Sequence, residues 1–207
     1  MKLYTYEHCP FCVRAKMILN LTNTKFEEVI LLNDDEATPI SLCGNKQVPI
    51  LEYDGKIMVE SLDIVDFINK KHNFLSPVLN DNIEKWVANA RSYLIKLTFP
   101  RLLKLDLPEF KTQGAIDYFK KKKEASMQMT FEEALLKSDE FKKQAEEHLE
   151  ELSSFIPNGK DISKDDIILF PILRLLSCVD GLKWNEKVLK YVEHISKISN
   201  IPLYKKV

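Results

Sequence analysis

The chain has 207 residues, an apolar fraction of 45%, and 30 Lys plus Arg against 31 Asp plus Glu. That is ordinary for one large domain or two small ones with a buried core, and it excludes a global field that would steer the protein to nucleic acid or an anionic membrane. No apolar run approaches a bilayer span, and "MKLYTYEHC" lacks an apolar stretch with a small-residue cleavage site, so a soluble, cytoplasmic protein is expected.

"KLYTY" (2 to 6) is aromatic and extended and predicts a buried strand. Val13, Met17, Ile18 and Leu21 then recur at helical spacing, and "FEEVILL" (26 to 32) predicts a second strand. A helix between two strands predicts a parallel, right-handed crossover. "NDDEATPISLCGN" (33 to 45) reads as a short helical connection, and "VPILEYDGKIMVES" as two antiparallel strands joined by the tight-turn dipeptide Asp54-Gly55. Ser61 stands before "LDIVDFINKKH", whose Leu62, Ile64, Val65, Phe67 and Ile68 form an apolar helical face, and it is the expected N-cap. The order βαβαββα is complete by about His72.

After "NFLSPVLN" (73 to 80) strand signals fade, and helices are expected near 81 to 105, 112 to 125, 130 to 155, 163 to 179 and 185 to 199. The expected organisation is an α/β domain over 1 to 72, a linker over 73 to 80 and an all-helical domain over 81 to 207. Within "ISKDDI" (162 to 167), Ser163 and Asp166 have capping-box spacing, with Ile162 and Ile167 at staple positions. "KKKK" (120 to 123) reads as a solvated helical face.

The four cysteines are irregularly spaced, unlike the disulfide framework of a small secreted domain, so any disulfide should be transient. Cys9-Pro10-Phe11-Cys12 lies where the first strand gives way to the first helix. There, unpaired amides and the helix dipole favour a negative sulfur at Cys9, and Pro10 suits the first helical position. Cys12, one turn inward, is placed to attack a mixed disulfide formed at Cys9. Two packing thiols would satisfy the same spacing. A closed zinc site needs two further ligands, yet Cys43 and Cys178 are isolated and His8, His72, His148 and His194 form no ligand pair, so no metal is expected; a cluster shared between two copies stays open.

"CPFC", "QVPIL" and "ES" followed by "LDIVDFI" resemble a glutaredoxin. "LLNDDEATP", "KQVPIL", "KKEAS" and "DDIILFPILRLL" extend the resemblance over essentially the whole chain, to the larger bacterial type-two glutaredoxins. The resemblance implies a thioredoxin-like N-terminal domain and an all-α C-terminal domain in a glutathione-transferase-like architecture. It implies a glutathione-dependent thiol-disulfide oxidoreductase with Cys9 as nucleophile and Cys12 as second thiol. Val48 and a cis Pro49 would face glutathione, with Glu60 and Ser61 at its γ-glutamyl end and Phe11 lining the site. A carboxylate at the Ser61 helix start would meet free amides, and Glu60 could pair with an ammonium. Glutathione would serve as reductant, glutathionylated or disulfide-bonded proteins as substrates, and the protein would act as a monomer.

Phe11 keeps the apolar wall of the tyrosine common in glutaredoxins but lacks its hydroxyl. Glu7 would oppose a thiolate unless it points away, which leaves the helix start and His8 to stabilise Cys9. Cys43 and Cys178 are expected to be packing residues. Two other functions share this scaffold: a transferase conjugating glutathione to electrophiles, which has no need of Cys12, and a non-enzymatic regulatory or cluster-binding protein.

Overall fold

The computed structural model describes all 207 residues, which form two compact units. Met1–Phe74 and Asp106–Phe119 make the first; Leu75–Leu105 and Lys120–Val207 make the second.

In the first unit, β1 (Lys2–Thr5), α1 (Pro10–Leu21), β2 (Glu27–Ile30), α2 (Ala37–Cys43), β3 (Ile50–Tyr53), β4 (Lys56–Met58) and α3 (Ser61–His72) follow the expected βαβαββα order. The sheet runs β2-β1-β3-β4, with β1 parallel to β2, β1 antiparallel to β3 and β3 antiparallel to β4. Period-two alternation divides the core between the faces. Tyr4 and Ile50 pair across β1 and β3 and cluster with Leu31, Leu42 and Cys43, while their buried neighbours Leu3 and Leu51 point the other way. The β3-β4 turn is built by Asp54 and Gly55, with φ of 49° and 72°, the left-handed pair that matches strand twist in a two-residue hairpin.

Helix α1 buries Val13, Met17 and Ile18, and α3 buries Ile64, Val65 and Ile68. The first helical residue of α3 is Ser61 itself. Glu60 occupies the cap position expected of Ser61, because the chain turns at Glu60 (φ 60°, ψ 111°) and its carbonyl accepts the first helical bond from Ile64 N at 3.1 Å.

Asp106–Phe119 completes this unit with a 3-10 turn (Pro108–Phe110) and the opening of α5 (Gln113–Met127). Leu107, Phe110, Ala115 and Phe119 are buried, and Asn33 N donates to the Glu109 carbonyl at 2.9 Å.

The second unit holds α4 (Asp81–Leu102), the remainder of α5, α6 (Phe131–Leu136), α7 (Ser138–Leu152), α8 (Lys164–Leu176) and α9 (Glu186–Ser199). The single helix expected over 130 to 155 is divided at Lys137 (φ −92°, ψ 13°), which ends α6 and begins α7. Helix α8 is buried from Asp165 to Leu176. Its start carries the expected box: Ser163 N donates to Asp166 Oδ2 at 2.8 Å, and the Ser163 side chain accepts from the opening amides. Tyr191 from α9 donates to Asp166 Oδ1 at 2.7 Å. No helix is long and apolar enough to cross a membrane.

Candidate active site

Sheet topology brings three separated segments to one end of the sheet. The loop carrying Cys9 leaves the C-terminal end of β1, and Val48-Pro49 enters β3 at that same end because Tyr4 pairs with Ile50 in antiparallel register. β4 is antiparallel to β3 and so runs with β1, and Glu60-Ser61 leaves it at that end as well. The N-termini of α1 and α3, with their unpaired amides, both open there.

Cys9 is the N-cap of α1: its backbone is extended (φ −76°, ψ 118°), Pro10 follows at the first helical position, and its carbonyl accepts from Val13 N at 3.0 Å. Cys9 is half-buried and Cys12 is buried at 2% exposure, both as free thiols. The two sulfurs are unequal. A hydrogen bond from the Cys12 side chain, the His8 charge and backbone amides of Phe11 and Cys12 outweigh desolvation and bring Cys9 down to about 6. Desolvation, then the bond and repulsion from Cys9, push Cys12 well above the ordinary thiol range. The arrangement favours a thiolate at Cys9 beside a neighbouring thiol at Cys12.

Phe11 is 49% exposed, with the Arg14 guanidinium 4.8 Å above its ring. The Val48-Pro49 peptide bond is cis; Pro49 is buried and Val48 packs against the Tyr4, Leu31 and Ile50 cluster. Glu60 is exposed beside the buried Ser61. The opposing charge expected from Glu7 is balanced, since Lys16 Nζ lies 3.2 Å from Glu7 and 2.9 Å from Glu28. Cys43 packs in the sheet core, its thiol donating to the Pro39 carbonyl at 3.2 Å, and Cys178 is buried and pushed up to about 12 by desolvation.

Sequence reasoning missed Glu109. It is fully buried, yet the His8 amide donates to its Oε1 at 2.9 Å and His8 Nδ1 lies 2.6 Å from the same oxygen. Phe110 stacks on the His8 ring at 5.2 Å and Phe119 meets it edge-on at 5.2 Å. The available signal was a carboxylate set between Leu107 and Phe110 in a turn opened by Pro108, which reads equally well as an exposed loop.

Residues 82–207 match the family described as "Glutaredoxin 2, C terminal domain", and residues 3–81 match "Glutathione S-transferase, N-terminal domain". The chain is 41% identical over 210 residues to glutaredoxin 2 of Escherichia coli (strain K12), covering 98% of this chain and 97% of that one. Glutaredoxin 2 from Salmonella typhimurium, solved in complex with glutathione, superposes with a TM-score of 0.93 at 40% identity, covering 98% and 95% of the two chains. Glutathione transferase Omega 3C from Trametes versicolor shares the fold, with a TM-score of 0.58 at 17% identity over 100% of this chain and 85% of its own.

Proposed function

Since this chain belongs to the glutaredoxin 2 family and is a glutathione-dependent thiol-disulfide oxidoreductase, we propose that Cys9 is its nucleophile and Cys12 its resolving thiol. Phe11, Val48, Pro49, Glu60 and Ser61 line its glutathione site. The observation that carries this reading is the inequality of the two sulfurs: one is half-buried and favoured as thiolate at a helix start, the other is buried and held as thiol.

With a glutathione mixed disulfide, Cys9 thiolate attacks the glutathione sulfur, the substrate thiolate departs, and a Cys9-glutathione disulfide remains. A second glutathione thiolate attacks the glutathione sulfur of that adduct, giving oxidised glutathione and restoring Cys9. With a protein disulfide, Cys9 forms a mixed disulfide with one substrate sulfur and releases the other. Cys12 loses its proton and attacks Cys9, expelling the dithiol substrate and leaving a Cys9-Cys12 disulfide. Two glutathiones return that disulfide to two thiols.

The site offers glutathione complementary chemistry. The start of α3 presents free amides to a carboxylate, and exposed Glu60 presents the opposite charge to an ammonium. We take the substrates to be glutathionylated and disulfide-bonded proteins, and the acting species to be a cytoplasmic monomer, on the strength of the resemblance to type-two glutaredoxins.

Cys9→Ala should abolish both reactions, whereas Cys12→Ser should keep reduction of a glutathione mixed disulfide and lose reduction of a protein disulfide. Both substrates are assayed with glutathione as reductant. Full activity in Cys9→Ala would sink the assignment, and conjugation of an electrophile faster than disulfide reduction would favour the transferase reading.

A further inference from the structure

Glu109 presents a charge problem that the thiol chemistry described so far does not use. Its side chain is 0% exposed, and burying a carboxylate is costly unless it is paired. Its ion-pair partner is His8 Nδ1 at 2.6 Å, while its second oxygen, Oε2, is buried with no hydrogen-bond partner. An ionised carboxylate only accepts, so Nδ1 carries the hydrogen and the ring orientation is fixed. His8 is itself shut away from water at 6% exposure, enclosed by the rings of Tyr6, Phe110 and Phe119. A desolvated carboxylate and a desolvated imidazole thus sustain one another through a short hydrogen bond, and the imidazole belongs to the residue that immediately precedes Cys9.

We propose that Glu109 is a positioning residue for Cys9: by holding a protonated His8 in place beside the nucleophile, it maintains the cation that favours the thiolate. The proposal rests on the reading of Cys9 as nucleophile. Its physical basis is the sharing of a single carboxylate oxygen. The His8 amide and ring both donate to Oε1, which fixes backbone and side chain of the residue before Cys9 together. The Glu109 carbonyl, accepting from Asn33 at 2.9 Å, anchors the turn that presents it. The other titratable groups near the pair are Cys9, Cys12 and Tyr6, with Asp35 and Tyr118 near the Tyr6 hydroxyl. His8 neutralises the field of Glu109, which by itself disfavours an anion at Cys12.

The test follows alkylation of Cys9 by iodoacetamide against pH, read by mass spectrometry of the peptide containing it, in wild type, Glu109→Gln, His8→Gln and the double variant. Glu109→Gln is expected to raise the midpoint by about one pH unit, roughly a tenfold loss of thiolate on the acid side. His8→Gln should also raise it, and the double variant should match Glu109→Gln, because the residues act as one unit. An unchanged midpoint in Glu109→Gln overturns the proposal even if its melting temperature falls, and so does simple additivity in the double variant. Nitrogen-15 shifts of the wild-type His8 ring give a measurement that no folding defect can obscure. An imidazolium at the pH where Cys9 is thiolate supports the proposal, and a neutral ring there overturns it. Neither readout uses glutathione, so loss of the proposed disulfide chemistry and loss of this inference are separately visible.

Discussion

Glu60 is a non-glycine residue at φ 60° and ψ 111°, a conformation that costs roughly 1 to 3 kcal/mol and persists only where its surroundings impose it. Glu60→Gly should therefore keep or raise stability by up to about 1 kcal/mol, after allowing for the freer unfolded chain. If the carboxylate holds the γ-glutamyl ammonium, the same variant should raise the KM for glutathione. Urea unfolding beside glutathione-dependent kinetics checks the pair, and an unchanged KM would remove Glu60 from the binding site. The strand-to-helix junction that carries Cys9 and Cys12 was legible at this scale because it is built from neighbouring residues. Glu109 was not, since it meets His8 across 101 positions, and a buried carboxylate has the same sequence appearance as an exposed one. Glu7 shows the converse. Its unfavourable charge close to Cys9 was readable, but its neutralisation by Lys16 depends on how α1 lies against β2, where Lys16 also reaches Glu28.

At the scale of elements, local chemistry carried the start of α8. Ser163 and Asp166 lie three positions apart and need nothing distant to bond one another. Ser163→Ala should cost about 1 kcal/mol, the usual loss of an N-cap. Asp166→Ala should cost more, about 2 to 3 kcal/mol, because it leaves both the buried Ser163 amide and the Tyr191 hydroxyl without an acceptor. Equilibrium urea unfolding of the two variants should rank them in that order; equal losses would mean that the Tyr191 bond contributes nothing. The break between α6 and α7 was not legible, for a definite reason. The apolar spacing from Phe131 and Ala134 to Phe141, Ala145 and Leu149 keeps helical register straight through Lys137, and no Gly or Pro interrupts it. The hydrogen bonds also continue: Lys137 N donates to Glu133 O at 3.1 Å and Phe141 N to Lys137 O at 3.2 Å. A turn flattened without loss of pattern leaves no trace in the sequence.

For the whole molecule, chain order and packing order differ. Fading of strand signals after about residue 80 is a local cue, whereas membership of Asp106–Phe119 in the first unit is a packing outcome that no local cue carries. That membership links global stability to acid. Burial opposes the charge on Glu109, but bonds and attraction from His8 hold its carboxyl below its ordinary value of 4.5. A depressed carboxylate contributes stability that is complete above the unfolded value and is lost as pH falls through the folded one. The stability advantage of wild type over Glu109→Gln should thus be full above pH 4.5 and shrink steadily below it, as denaturant unfolding in a series of buffers would show. A gap that stayed constant into acid would mean that Glu109 contributes only its shape. The burial of Cys12 one turn beneath Cys9 has a practical corollary. On the proposed roles, serine at position 12 leaves no resolving thiol beneath Cys9, so that in the absence of added glutathione the variant should act as bait: a disulfide-bonded protein attacked by Cys9 would stay covalently linked, and elution with reductant from cell extract would identify it.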